Sequence, residues 1–129
     1  TSEAIVSGNT ITVTLDTGDE VVLTAAADGT TLVGTYTVGA SDTSSDLTVS
    51  SFTIGTVVDA AGNAMTSTTV PSTPNNIADA EAIVIDTTAP TVSSFTSTTA
   101  NGSYKAGDEI NITANTSEAI VSGNTITVI

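Results

Sequence analysis

The sequence predicts an all-β chain built on a tandem repeat, and three observations carry that reading. Most apolar runs alternate with period two, and no long stretch has helical period. Thr and Val dominate those runs, and both fit a pleated, half-buried surface better than a helix. Finally, Thr-Ser-Glu-Ala-Ile-Val-Ser-Gly-Asn-Thr-Ile-Thr-Val stands at Thr1–Val13 and again at Thr116–Val128. Such a coincidence in a chain of 129 residues is the mark of a repeat, here of about 115 residues and cut in mid-repeat.

The elements follow in order. Thr10–Asp16 places Ile11, Val13 and Leu15 on one face and Thr on the other. Thr17-Gly18-Asp19 is a turn, and Glu20–Ala26 returns as the second arm of the clearest hairpin. Asp28-Gly29 is a tight-turn signal ahead of a third strand, Thr31–Val38. Gly39–Asp46 is polar and reads as a loop. Leu47–Val58 is a fourth strand with Val49, Phe52 and Ile54 as core candidates. Asp59-Ala-Ala-Gly-Asn63 is an oxygen-rich turn, and Ala64–Asn76 is a long Ser/Thr/Pro surface segment. Ala80–Asp86 is a fifth strand, ended by Pro90, which cannot continue a ladder and holds its predecessor extended. Thr91–Thr98 and Glu109–Asn115 are the sixth and seventh strands, separated by turns around Asn101-Gly102 and Ala106-Gly107-Asp108.

About seven short strands per period, joined by turns, point to an immunoglobulin-like antiparallel β-sandwich. In sandwich order Thr91–Thr98 is A, Glu109–Asn115 is B, Thr10–Asp16 is C, Glu20–Ala26 is D, Thr31–Val38 is E, Leu47–Val58 is F and Ala80–Asp86 is G. The join from Asp86 to Thr91 spans at most about 14–18 Å. A seven-residue strand is already more than about 20 Å long, so A and B are not expected to fold back onto the domain they follow. Residues 1–86 are therefore expected to form a domain lacking its first two strands, 87–90 a linker, and 91–129 the A, B and C strands of the next repeat.

Composition narrows function. Fourteen Asp and Glu face one basic residue, Lys105, for a net charge of −13. Nucleic acid and anionic membrane surfaces are poor partners for such a chain, since phosphate contacts need Lys and Arg. Carboxylates at this density repel one another unless cations neutralise them, and Ca²⁺ is the natural ligand of carboxylate and amide oxygens. The chain has no Cys and no His, which removes thiol chemistry and the usual general base. Acid pairs such as Asp19-Glu20 have no aromatic platform for a sugar beside them, and no Ser has a His or Lys partner in a familiar arrangement, so the chain does not read as an enzyme. No apolar run is long enough to cross a bilayer. The Thr-, Ser- and Asp-rich composition fits a secreted bacterial surface protein.

Three short motifs stand together: Val57-Val58-Asp59-Ala60-Ala61-Gly62-Asn63, Asp86-Thr87-Thr88-Ala89-Pro90, and Thr116-Ser117-Glu118-Ala119 with its copy at Thr1–Ala4. In this order and at this period, the chain resembles the immunoglobulin-like extender repeats of giant RTX-type and biofilm-associated bacterial adhesins. The resemblance implies an elongated extracellular array on the bacterial surface, stiffened by Ca²⁺ between domains. The long Thr66–Asn76 insertion departs from a plain repeat.

Strand order alone leads to the same site. The B–C, D–E and F–G loops lie at one end and carry Glu3 (Glu118 in the second copy), Asp28, and Asp59 with Asn63. Asp86 closes the preceding domain and arrives at that end, so Asp86, Glu118 and the next copy's Asp59 are candidate ligands of a junction cation. The alternative for Asp59 and Asn63 is plain Asx-turn chemistry. The acidic residues of the opposite end, Asp16, Asp19, Glu20, Asp42, Asp46, Asp108 and Glu109, read mainly as solvated turn residues. Two other functions compete with the spacer: a filament subunit that gives residues 91–129 to an identical neighbour, and a carbohydrate-binding module, which the lack of Trp disfavours. In each of the first two readings the partner is another copy of the repeat.

Overall fold

The computed structural model describes residues 3–129; Thr1 and Ser2, the first residues of the repeated motif, lie outside the described residues. The chain divides into two compact units, 1–87 and 88–129. Both are built on antiparallel sheets, so the chain is all-β apart from one helical turn among the described residues.

Unit 1 is organised by β1 (Thr10–Leu15), the central strand of a three-stranded sheet. It pairs with β2 (Glu20–Thr24) from Thr10↔Thr24 to Thr14↔Glu20, the expected hairpin. On its other side it pairs with β3 (Val49–Thr56). Opposed residues in an antiparallel pair share a face, so Ile11, Val13 and Leu15 stand beside Leu23 and Val21 on one flank and Ile54, Phe52 and Val49 on the other. Val49 is three residues from Phe52, a spacing that strict alternation would send to the opposite face. A bulge restores it: the register steps from Ser51 opposite Thr14 to Val49 opposite Leu15. The skipped Ser50 donates its hydroxyl to the carbonyls of Thr14 (3.0 Å) and Leu15 (3.4 Å), which anchors the irregularity.

The core forms on this face in two clusters. Val13, Leu15, Val21 and Leu47 are buried, with Tyr36, Phe52, Ile77 and Ile85 against them. Ile5, Ala25 and Val57 form the second, with Leu32, Ile54 and Met65. The buried members are all aliphatic and of small or middling size, and the large side chains stay partly exposed, so the core is thin.

The other expected strands of unit 1 are not strands. Thr31–Val38 meets the sheet at one bridge, where Thr24 and Val33 exchange two backbone hydrogen bonds (2.9 and 3.0 Å). A strand needs a ladder of partners, and beyond this single bridge none of the described residues pairs with the segment. Gly34 lies directly over β2: a Cβ there would stand 2.3 Å from the Val22 carbonyl oxygen and 2.8 Å from Leu23 Cδ2. Gly34→Ala is therefore expected to force the segment outward and cost about 1–3 kcal/mol, read as a lower denaturant midpoint.

Ala80–Asp86 differs as well. Its first residue closes a short helix, α1 (Ile77–Ala80), set by a capping box between Asn76 and Asp79. Asn76 also uses its side-chain amide like a strand edge, accepting from Val49 N–H and donating to the Val49 carbonyl, both at 3.0 Å. After α1 the chain runs extended beside the 44–47 loop, with Leu47 N–H donating to the Ile83 carbonyl (2.7 Å) and Ser44 and Ile85 exchanging bonds.

Unit 2 is a two-stranded ribbon, β4 (Val92–Thr96) and β5 (Thr113–Thr116), followed by the second copy of the motif. The sixth and seventh strands are thus present but shorter than the pattern suggested. The second copy repeats the local turn of the first. Gly8 and Gly123 have φ of +86° and +92°, and Asn9 and Asn124 donate to the carbonyls of Val6 and Val121, both at 3.3 Å. It does not repeat the strand: Thr10–Leu15 is β1, whereas residues 125–129 pair with no strand. The turn is a local product of Gly and Asn chemistry. The strand requires β2 and β3, and unit 2 holds no counterpart of either.

Candidate functional site

The loops at the start of β1 converge. Ile5 exchanges backbone bonds with Gly29 (2.6 and 3.1 Å) and bridges Asp59, and Val6 N–H donates to the Val58 carbonyl (3.0 Å). Asn9 fixes the junction from within: its side-chain oxygen accepts from Val58 N–H at 2.5 Å while its carbonyl accepts from Ala25 N–H. The segment 3–9, the Asp28-Gly29 turn and the 57–65 loop therefore meet at one end of unit 1. A shallow depression of about 180 Å³ opens there, lined by Glu3, Ile5, Val57, Asp59, Asn63 and Met65.

Two carboxylates share the rim. The Asp59 carboxylate accepts from Ala61 N–H (3.0 Å), Asn63 N–H (2.8 Å) and the Asn63 side-chain amide (2.9 Å). The Asn63 side-chain and backbone donors hold its pKa down at about 2, with a smaller contribution from Glu3. Glu3 is pushed the other way, first by sharing a hydrogen bond with Asp59 and then by the charge of Asp59. The signs matter for stability. Asp59, depressed, contributes stability that is present above its unfolded value and lost as pH falls through about 2. Glu3, raised, favours the fold only in its protonated form, and that contribution is lost as pH rises through its folded value. At neutral pH the pair is a repulsive one on an exposed rim.

Of the residues singled out from sequence, Glu3, Asp59 and Asn63 are brought together. Asp59 and Asn63 also make the Asx-type turn that was their alternative reading, so the same oxygens order the loop. Asp28 sits at this end and accepts from Ser7 N–H at 2.8 Å. Asp86 lies at the other end of unit 1. Its neighbours show this: Ile85 pairs with Ser44, Thr87 donates to the Asp42 carbonyl (3.0 Å), and Ser44 donates to Asp16, just past the end of β1. Glu118 belongs to unit 2, where its carbonyl accepts from the Thr116 hydroxyl and the preceding Ser117 exchanges two 2.9 Å bonds with Thr91. Among the described residues, no three acidic side chains converge into a metal-holding group. Unit 1 thus offers two carboxylates and an amide, part of the six to eight oxygens that Ca²⁺ takes.

Two acidic residues of the far end do more than cap solvated turns. Asp16 accepts from the Ser44 hydroxyl (2.5 Å) and Thr48 N–H (3.0 Å), which lowers its pKa. Asp42 accepts from the Tyr36 hydroxyl (2.5 Å) and Gly39 N–H (2.6 Å) and is lowered likewise. These two carboxylates pin the 39–48 loop over the core. The lone basic side chain, Lys105, forms an exposed ion pair with Asp108 at 3.3 Å, worth little in water.

Comparison with family models, curated proteins and solved structures finds no match for the chain. Among the described residues no helix is long and apolar enough to cross a membrane.

Proposed function

We propose that this chain carries one period of an extracellular structural array, a spacer repeat of a bacterial surface adhesin with immunoglobulin-like sandwich domains stiffened by Ca²⁺ where repeats meet. The observation that carries this reading is the polarity of unit 1. Glu3, Asp59 and Asn63 stand at the end where β1 begins, and Asp86 leaves from the end where it finishes. Residues arranged that way complete one another between successive copies rather than within one, and the identical motif recurs 115 residues on with its own Glu118. Four residues separate Asp86 from Thr91, the residue bonded to Ser117, so chain length alone keeps Asp86 within about 18 Å of that neighbour of Glu118. A cation shared by an Asp86, a Glu and an Asp59 of adjoining copies relieves the carboxylate repulsion and fixes the angle between them. On this reading the array does no chemistry; it sets a distance.

The test is a chain of two consecutive repeats, studied by thermal melting and small-angle scattering with Ca²⁺ and with chelator. The expected result is a higher melting temperature and a stiffer, longer particle with Ca²⁺. Glu3→Gln and its counterpart Glu118→Gln are expected to remove most of that difference, while raising the melting temperature in chelator by ending the repulsion with Asp59. Equal melting and equal stiffness in both conditions would remove Ca²⁺ from the account.

A further inference from the structure

Unit 1 leaves its core face partly open. A groove of about 420 Å³ runs over Ile11, Val13, Val49 and Phe52, walled on its far side by Met65 and Val70. The far wall is a strap: between Met65, bonded to Val57, and Asn76, bonded to Val49, residues 66–75 pair with no strand. In a two-layer β-domain this is the space filled by a second layer.

Unit 2 has the complementary defect. In the ribbon, Phe95 opposes Ala114, and the bulge between Val92 and Ser94 puts Val92, opposite Thr116, on the same face as Phe95. Extended alternation from Ala114 carries Ile112 and Ile110 to that face. All four large residues are exposed: Val92 42%, Phe95 55%, Ile110 48% and Ile112 63%. The opposite face is polar and internally bonded, with Asn115 donating to Ser94 and Thr96, and Asn111 accepting from Thr98 and Thr113. Ile120 and Ile126 meet only the Val92 end of the apolar face, so a ribbon with one satisfied polar face keeps large apolar side chains open on the other, as interaction surfaces do.

The repeat says which partner. The ribbon is followed at once by residues 116–128, the sequence that in its first copy leads into β1, the floor of the groove. We propose that the groove of unit 1 is the seat of the β4–β5 ribbon of a second copy of this chain, apolar face inward, with Phe95 and Ile112 against Ile11, Val49 and Phe52. This deepens the array reading and rests on it. It names the contact that joins copies, made by buried apolar surface and independent of any cation.

The chain has no Cys, so introduced thiols report only on each other. Two single variants, T69C on the strap and I112C on the ribbon, are mixed at equal amounts under mild oxidation. The expected product is the mixed disulfide, at twice the 12.7 kDa chain mass, in clear excess over either homodimer. The double variant T69C/I112C is expected to give a ladder of oligomers. Adding Phe95→Asp, exposed on unit 2 and so tolerated by its fold, is expected to abolish both, with circular dichroism unchanged. Homodimers and heterodimers in statistical proportion, or an intramolecular disulfide in the double variant, would overturn the proposal. Failure here with a Ca²⁺-stiffened two-repeat chain removes the ribbon contact alone. Trapping here with a chelator-insensitive two-repeat chain removes the cation and keeps the contact.

Discussion

Ile5→Ala is expected to melt unit 1 at a much lower temperature, whereas Ile120→Ala, the same residue of the same motif, is expected to be nearly silent in the 129-residue chain. Ile5 is 4% exposed and Ile120 is 52% exposed. Ile5 packs with Ala25 and Val57, and its backbone joins the Asp28-Gly29 and Asp59 loops, so the cavity left by truncation has no neighbour ready to fill it. Large-to-small changes at such sites cost about 2–5 kcal/mol. In a unit of this size each kcal/mol moves the midpoint by about 4–8 °C. A thin core has little reserve, since whole-domain stabilities are only about 5–15 kcal/mol. Surface truncations away from such features stay within about 0.5 kcal/mol, which sets the expectation for Ile120. Differential scanning calorimetry of the two variants at low protein concentration, where copies are apart, makes the comparison. Because the flanking residues are identical, propensity cancels and only tertiary context remains.

The second large effect belongs to Asn9. Asn9 is 8% exposed, and its side-chain oxygen accepts from the Val58 N–H. Asn9→Ala leaves that donor without its acceptor in a closed environment, a loss of about 1–3 kcal/mol. It also frees the 57–63 loop, so the Asp59 carboxylate is expected to lose its ordered donors. In an NMR titration its midpoint should climb from about 2 towards the ordinary aspartate range. Asn124→Ala is expected to change neither stability nor that midpoint, since Asn124 is exposed and belongs to unit 2. An Asp59 midpoint that stays put in Asn9→Ala would show that the turn orders itself without the buried amide.

The elements legible in the sequence were those that local chemistry decides. The hairpin over Thr10–Ala26 is readable because its first arm alternates strictly and the turn Thr17-Gly18-Asp19 leads into a second apolar, β-branched run, and β1–β2 pair through it. Val49, Phe52 and Ile54 read as core candidates from composition alone, and the Ser50 bulge is what brings Val49 to the same face as the other two. Thr31–Val38 and Ala80–Asp86 depart from the strands that their sequences predict, for different reasons. The first has strand composition, but only Val33 finds a partner. The second begins in a helical turn whose signal, Asn76 three residues ahead of Asp79, was present in the chain and outweighed by the apolar run after it. Glu3 beside Asp59 and Asn63 followed from loop order. The roles of Asn9, Asn76 and Asp16 did not, because each bonds backbone far along the chain and no local pattern marks such a partner. The two copies of the motif make the general point within one molecule: the Gly8 and Gly123 turns are alike, while the strand that follows exists only where β2 and β3 flank it.

That contrast also gives the most direct test of the claim that the chain is a repeat whose units complete one another. Amide hydrogen exchange is followed by NMR in two molecules, this chain and one in which residues 14–86 are repeated after Val128. Identical sequence gives residues 10–13 and 125–128 nearly identical intrinsic rates, so protection compares directly. In the 129-residue chain, protection is expected at 10–13 and absent at 125–128. In the extended chain it is expected at both, to a similar degree. Residues 125–128 that continue to exchange freely with a full complement of following strands would contradict the account.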